Sequence, residues 1–238
     1  MSLSIKSVVL GLIALLVVLL GTWQLVNSRQ VQLFGELVNR VDTDQKVIAL
    51  TFDDGPAPGN TEAVLTMLAA EDVKATFFLV GSAMELHPRE TMLIANAGHE
   101  IGNHSYSHQR MVLMSPGAVR EELERTDALI RQSGYQGPIL FRPPYGKKFV
   151  MLPWYLSHRD MTSVTWDLEP ESHGDIAGNS QAITRYVLDK AKPGSILLLH
   201  VMFRSRQASL DAVPGIIEGL KAKGYRLVTV SELLALRP

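Results

Sequence analysis

The chain contains no cysteine, and its charges almost cancel. Without cysteine there are no disulfides, thiolate zinc sites, iron–sulfur clusters or cysteine nucleophiles. Lys and Arg number 23 against 24 Asp and Glu, giving a formal net charge of -1. A nucleic-acid-binding protein is usually basic, so we predict no nucleic-acid partner. Of the 238 residues, 46% are hydrophobic and 20% are charged, which excludes a mainly disordered chain.

A long hydrophobic run lies at the N-terminus. Residues 8–26 carry no charge, and about 20 apolar residues suffice for a helix to cross a bilayer. Lys6 precedes the run, Arg29 follows it, and no good Ala-x-Ala cleavage site ends it. We therefore predict that residues 1–27 form a single-pass anchor in the cytoplasmic membrane, with the remaining chain extracytoplasmic. A cleaved signal segment, which would yield a secreted protein, is the alternative.

The remaining chain divides into a short amphipathic stem at 28–40 and one domain at 41–238. In this domain, short apolar runs bounded by breakers predict buried strands. These runs cover residues 47–52, 75–80, 100–103, 139–142, 163–166, 195–199 and 225–230. Helical patterns separate them, notably at 61–71, at 116–132 and around 210–220. Alternating strands and helices predict an α/β fold with a mainly parallel sheet, either a small or incomplete barrel or a doubly wound open sheet.

The first polar motif, Thr-Phe-Asp-Asp-Gly-Pro, follows the strand predicted at 47–52. Its adjacent carboxylates, Asp53 and Asp54, raise each other's pKa, and a bound cation would remove that cost. Asp-Gly-Pro is also ordinary turn chemistry. The motif by itself therefore leaves a metal site and a simple turn both open.

The second motif, His-Ser-Tyr-Ser-His, holds two imidazoles four residues apart. His104 and His108 would share one face if this stretch were helical. Two histidines with one carboxylate suit zinc or a similar ion and leave positions for water. The alternative is a polar loop with incidental histidines.

Two further motifs follow predicted strands, at Arg142 in Phe-Arg-Pro-Pro-Tyr-Gly and at His200 after Leu-Leu-Leu. The arginine could pair with a carboxylate, and the histidine could act as a general acid or base. A rigid turn and a satisfied core histidine are the alternatives. The carboxyl ends of parallel strands meet at one face, where βα folds place their active sites. The four motifs together indicate metal-assisted hydrolysis.

On these four motifs the chain resembles the polysaccharide deacetylases with a NodB-homology domain, carbohydrate esterase family 4. The resemblance covers roughly residues 44–236. It implies a distorted (β/α)7 barrel for the catalytic domain. It also implies hydrolysis of N-acetyl groups on GlcNAc-containing polysaccharides such as peptidoglycan, chitin-like chains or poly-GlcNAc. Some members of that family act on O-acetyl xylan instead.

The resemblance also implies a role for each motif residue. Asp54, His104 and His108 would hold one divalent metal ion, zinc being the first expectation and cobalt, nickel or manganese the others. Asp53 would be the general base that activates water.

Further roles follow from the last two motifs of the same resemblance. His200 would protonate the leaving amine, and Arg142 would orient the general base. The backbone N–H of Tyr145 would help to bind the oxyanion. Leu198 and Trp166 are candidate substrate-binding residues, although Trp166 suits the core equally well.

One stretch departs from the family pattern. The usual Asp-x-x-Asp-Trp is replaced by a sequence in which Glu169 best matches the first aspartate and Ser172-His173 stand for Asp-Trp. By the resemblance, Glu169 would support Arg142 and tune the base and acid. The missing tryptophan could reshape one wall of the pocket.

The sequence leaves two other functions open. The same chemistry could serve an O-acetyl esterase or a deacylase of a lipid-linked sugar. A non-enzymatic function, that of a catalytically silent glycan-binding or assembly protein, is the other alternative. The predicted partners are an acetylated glycan and, through the N-terminal helix, the membrane; the sequence does not specify an oligomeric state.

Overall fold

The computed structural model describes residues 4–237, and its longest described element is an apolar N-terminal helix. This helix, α1, spans Ile5–Asn27, and the Ser4 hydroxyl caps it by accepting a hydrogen bond from the Ser7 N–H. None of its residues is buried, and its mean hydropathy reaches 2.5. By length and composition α1 can cross a membrane, a test that N-terminal signal sequences also meet.

Within residues 4–237, seven strands pair in parallel, five in one sheet and two in another. Four of them have the order β4-β3-β2-β6, β7 pairs with β2, and β1 pairs with β5. Every residue of β2 is buried, as expected of a strand covered on both faces. The strands are β1 (Leu37–Val38), β2 (Val47–Asp53), β3 (Thr76–Leu79), β4 (Glu100–Asn103), β5 (Ser163–Val164), β6 (Ile196–Leu199) and β7 (Arg226–Val228).

Eight further helices are described, seven of them between the strands and α9 after β7. The helix predicted at 116–132 is α5, whose Ser115 cap accepts a hydrogen bond from the Ala118 N–H. Helices α2 and α8 lie within a few residues of the other two predictions. The helices are α2 (Asn60–Ala70), α3 (Gly81–Leu86), α4 (Pro88–Asn96), α5 (Pro116–Gln132), α6 (Met151–Ser157), α7 (Ser180–Lys190), α8 (Gln207–Ala222) and α9 (Val230–Leu234).

Isolated bridges continue the sheet around the molecule. Phe141 makes parallel bridges to Asn103 on one side and to Ser163 on the other, and Leu168 makes one to Leu197. Single bridges thus link β4 through Phe141 to β5, and Leu168 to β6, as in an irregular barrel rather than a doubly wound open sheet. This agrees with the distorted α/β barrel that the resemblance implies.

Two strand predictions need correction. Residues 139–142 form no regular strand, because Pro143 and Pro144 cannot donate to a ladder and pairing stops at Phe141. The strand predicted at 163–166 ends at Val164. Part of the expected stem also lies within the fold, since Leu37 and Val38 pair with β5.

Candidate active site

The polar residues of the four motifs meet at the carboxyl ends of β2, β4 and β6. Asp53 is the last residue of β2, and Asp54 follows it with a φ of 70°. His104 follows β4, and His200 follows β6. The three strands are parallel; β6 lies beside β2, and β3 lies between β2 and β4. Their C-terminal residues therefore lie at one rim of the barrel.

Asp54, His104 and His108 form a cluster suited to a metal ion. Their ligand atoms all lie within 4.8 Å of one another. His108 Nε2 is 3.2 Å from Asp54 Oδ1, and His104 Nε2 is 3.9 Å from the same oxygen. His104 Nδ1 lies 2.7 Å from the Arg142 carbonyl oxygen, which fixes the ring and directs Nε2 into the cluster.

The two histidines lie on a loop and not on a helix. Ser105 and His108 have φ values of 62° and 56°, so the chain coils tightly and brings the imidazoles together, with ring centroids 4.9 Å apart. Burial lowers the pKa of His108, helped by the charge of His104 and opposed by Asp54 and Asp53. A lowered pKa favours the neutral imidazole, which is the form that binds metal.

Glu122 of α5 holds this loop in place. Its buried carboxylate accepts hydrogen bonds from the backbone N–H groups of Tyr106 and Ser107, at 2.9 and 2.8 Å. It also accepts from the Ser107 hydroxyl and from the Gln109 side-chain amide. The sequence analysis missed this residue, because a glutamate in a Glu-rich helix gives no signal of pointing into a distant loop.

Asp53 and Arg142 form a buried ion pair. Arg142 Nη1 donates to Asp53 Oδ1 at 2.5 Å and to the Thr51 hydroxyl at 2.8 Å. Neither Asp53 nor Arg142 is more than 2% exposed. Burial lowers the pKa of the Arg142 guanidinium, and the negative charge of Asp53 opposes that effect. The expected pairing of arginine and carboxylate at this rim is present in the structure.

His200 pairs with Glu171, a residue that the sequence analysis did not single out. His200 Nδ1 lies 2.5 Å from Glu171 Oε2, and the His200 backbone N–H donates to the same carboxylate. Burial lowers the pKa of His200, but the hydrogen bond to Glu171 and the charges of Asp53, Glu171 and Asp54 outweigh it and raise the pKa to about 9. The available signal was its position, two residues after Glu169 in the altered motif.

Glu169 supports Arg142 by charge, since its carboxylate acts to raise the pKa of the guanidinium, but it does not hold the arginine directly. No hydrogen bond joins it to Arg142 in the described structure; it accepts instead from Arg29 Nη2 at 2.7 Å and from Trp166 Nε1 at 2.9 Å. The support that the motif match assigned to Glu169 is therefore divided. Glu169 braces the indole of Trp166, and Glu171 holds the histidine.

The three expected substrate contacts differ in exposure. Tyr145 is 53% exposed, has a φ of 57°, and places its ring 4.7 Å from that of His108. Trp166 is only 4% exposed and belongs to the core of the barrel wall. Leu198 is 1% exposed within the same cluster, so it offers packing rather than a substrate-facing surface.

Comparison with known proteins agrees with this geometry. The polysaccharide deacetylase family model matches residues 40–164, more than half of the chain. The chain belongs to the polysaccharide deacetylase family. It is 39% identical over 194 residues to the peptidoglycan-N-acetylmuramic acid deacetylase PdaC of Bacillus subtilis, which covers 81% of this chain but only 40% of PdaC. A peptidoglycan-N-acetylglucosamine deacetylase of Bacillus cereus is 34% identical over 204 residues, covering 84% of this chain and 93% of the relative.

Solved structures share the same architecture. The Bc1960 peptidoglycan N-acetylglucosamine deacetylase superposes with a TM-score of 0.77 at 33% identity, covering 82% of this chain and 91% of that chain. These relatives are named as deacetylases of the family to which the present chain belongs. The wild-type BA3943 protein of Bacillus anthracis, a pseudoenzyme of carbohydrate esterase family 4, also matches, with a TM-score of 0.74 and 27% identity over 83% of this chain and 68% of that chain. Membership of the family therefore does not by itself establish activity, which depends on the residues at the site.

Proposed function

We propose that the protein is a metal-dependent deacetylase that removes N-acetyl groups from the amino sugars of peptidoglycan. The observation that carries this proposal is the buried Asp53–Arg142 pair beside the cluster of Asp54, His104 and His108. The names of the relatives favour peptidoglycan over chitin-like chains or poly-GlcNAc. They include both N-acetylmuramic acid and N-acetylglucosamine deacetylases, so either sugar is a candidate.

The donor set fits a divalent metal ion. Asp54 contributes a carboxylate, and His104 and His108 contribute imidazole nitrogens, which is the two-histidine, one-carboxylate set of open catalytic sites. We expect zinc first, with cobalt, nickel or manganese as alternatives. A divalent ion held there would act as a Lewis acid toward the acyl carbonyl and would lower the pKa of water at the site.

Asp53 is positioned to take the proton from the attacking water. Its Oδ1 is held by Arg142, which leaves Oδ2 on the side of His104, 3.6 Å from Nε2. A fixed carboxylate with one free oxygen at the rim suits a general base. As the water oxygen bonds to the acyl carbon, the backbone N–H of Tyr145 would donate to the developing oxyanion.

His200 is positioned to supply the proton to the leaving amine. Glu171 accepts from Nδ1–H, which leaves Nε2 to carry the proton for transfer. The raised pKa of about 9 keeps the imidazole protonated near neutral pH. When the C–N bond breaks, the sugar leaves as a free amine and the acyl group as acetate, with one water consumed.

We further propose that α1 anchors the protein in the cytoplasmic membrane and that the catalytic domain is extracytoplasmic. The length and hydropathy of α1 and the absence of buried residues along it support this placement. Peptidoglycan lies outside that membrane, so this topology and the proposed substrate agree.

The proposal is tested with the full chain in detergent micelles. Acetate release is measured from acetylated peptidoglycan, GlcNAc oligomers and O-acetylated xylan, after chelation and after zinc is returned. We expect zinc-restored release from peptidoglycan or GlcNAc oligomers and its loss, by about 1000-fold or more, in Asp53→Asn and Asp54→Ala. Asp42→Ala is the matched control, because the Asp42 side chain is fully exposed.

Zinc should also raise the melting temperature of the wild type and of Asp42→Ala but not of Asp54→Ala, because a ligand that binds only the folded state stabilises it. Release from xylan alone would move the assignment to an O-acetyl esterase. A folded, zinc-binding protein that releases no acetate from any of these substrates would contradict the proposal.

A further inference from the structure

The three residues that follow the apolar part of α1 contact the loops that carry the active site. Asn27, Ser28 and Arg29 are called the clamp here. On one side, Lys147 Nζ donates to the Asn27 side-chain oxygen and Lys148 Nζ donates to the Ser28 carbonyl oxygen. These lysines directly follow the turn that contains Tyr145 and Gly146, so the clamp touches the loop expected to bind the oxyanion.

The contact between Lys148 and Ser28 satisfies a buried charged group. The Lys148 side chain is only 1% exposed, and a buried ammonium is costly unless it is hydrogen-bonded. Burial lowers the pKa of Lys148 to about 8, and the adjacent Lys147 acts in the same direction. The Ser28 carbonyl lies at the negative end of α1, whose last turn has no basic residue of its own, so the lysines complement the helix dipole.

On the other side, Arg29 contacts Glu169 and Trp166. Its guanidinium donates to Glu169 at 2.7 Å and lies 4.6 Å from the centre of the Trp166 ring. The Trp166 indole N–H donates to the same carboxylate oxygen of Glu169. Arg29 and Glu169 together therefore fix the plane of the tryptophan.

The Trp166 ring and its neighbour connect Arg29 to the catalytic pair. Arg142 lies 5.5 Å from the centre of the Trp166 ring, and its Nη2 donates to the Thr165 carbonyl oxygen at 3.3 Å. The Thr165 hydroxyl in turn donates to the Arg29 carbonyl oxygen at 2.6 Å. Arg29 is therefore connected to the guanidinium of Arg142 in two ways: through Glu169 and the Trp166 ring, and through Thr165.

We propose that Arg29 is a positioning residue of the active site and that the clamp makes the end of the membrane helix part of the catalytic unit. Arg29 fixes Trp166 through Glu169, and Trp166 and Thr165 hold Arg142 in the orientation that Asp53 requires. This inference rests on the proposed function, because it assigns Arg29 a role in that reaction.

The test compares variants of the full chain in detergent micelles, with acetate release from GlcNAc oligomers as the reaction. We expect Arg29→Gln and Glu169→Gln each to lower kcat about tenfold, with KM within about twofold, as is typical for outer-shell partners of a catalytic group. The double variant should lose much less than the product of the two single losses, because both substitutions break the Arg29–Glu169 contact and act through the same Trp166 ring. Arg29→Lys should recover part of kcat. Arg40→Gln is the matched control, since Arg40 pairs weakly with the exposed Asp42.

Melting temperature and bound zinc are measured on the same samples to separate positioning from folding. Positioning predicts that zinc content stays at the wild-type value while kcat falls per folded molecule. Wild-type kcat in Arg29→Gln, losses that multiply in the double variant, or a loss that only follows the folded fraction would each overturn the inference. An inactive wild type would instead contradict the proposed function, so the two failures are distinguishable.

Discussion

At the scale of single residues, two neighbouring aspartates occupy different environments. Asp53 ends a buried strand and faces Arg142, whereas Asp54 turns away in a left-handed conformation and faces His108. Aspartate is among the few non-glycine residues that accept such a φ. One peptide unit thus separates a carboxylate suited to proton transfer from a carboxylate suited to metal binding.

The pairing of Glu171 with His200 predicts a change in the pH profile of Glu171→Gln. If protonated His200 is the general acid, the rate falls as pH rises through its pKa. Glu171 contributes to raising that pKa, so its neutralisation lowers the pKa of His200 and moves the basic limb of the kcat profile to lower pH. The profile is measured by acetate release. Glu218→Gln, an exposed position on α8, should leave the limb in place. If the basic limb of the kcat profile stays in place in Glu171→Gln, His200 is not the general acid.

At the scale of elements, the loop that carries His108 depends on a helix that supplies no member of the Asp54, His104 and His108 cluster. Four donors of residues 106–109 converge on the carboxylate of Glu122 in α5. Those hydrogen bonds hold the coil that places His108 beside His104. The helix therefore acts on the site through loop geometry alone.

We expect the replacement of the Glu122 carboxylate to weaken metal binding. Glu122→Gln keeps the size of the side chain but turns an amide N–H₂ toward donors, so part of the loop loses its acceptor. We expect the zinc dissociation constant to rise about 10- to 100-fold, measured by competition with a chromogenic chelator. Glu121→Gln, its exposed neighbour, is the control. Equal zinc affinity in both variants would mean that the loop holds its shape without Glu122.

At the scale of the whole molecule, a buried histidine links stability to pH. His99 is 4% exposed, accepts a hydrogen bond from the Ala75 N–H at 3.2 Å and lies edge-on to Phe77. Burial, with a smaller contribution from Lys74, lowers its pKa from 6.5 to about 4. The folded state therefore keeps His99 neutral where the unfolded chain becomes protonated.

This linkage predicts a loss of stability on acidification. Between about pH 6.5 and pH 4 the unfolded state binds the extra proton, so the free energy of unfolding falls by about 3 kcal/mol in total. His99→Gln should flatten that part of the curve, measured by urea unfolding at neutral pH and at about pH 5. His158→Gln, an exposed histidine, should retain the wild-type slope. A His99→Gln slope equal to the wild-type slope would contradict this origin.

The agreement between sequence and structure was best where the signal is local. The helix at 116–132 and the strand at 100–103 have the predicted ends, because capping, periodicity and breakers act within a few residues. The strand expected at 139–142 did not form, since the prolines that follow remove ladder donors. The histidine pair was predicted as a site, but the helix considered for it is a coiled loop.

The reactive residue types and their order along the chain follow from the amino-acid sequence alone. It identified two carboxylates, the histidine pair, an arginine and a terminal histidine, each at the end of an apolar run, and from these the family and the class of reaction. These features depend on residue identity and short spacing, which folding leaves unchanged.

The groups that support the reactive residues became visible only in the folded protein. Glu171 rather than Glu169 holds His200, Glu122 holds the metal loop, and Arg29 reaches Glu169 across 140 residues of sequence. Several glutamates in this sequence look equivalent, yet Glu169 and Glu171, two positions apart, contact different partners. Their partners are set by how the barrel wall closes, because long-range packing, and not local propensity, brings distant side chains within hydrogen-bond distance.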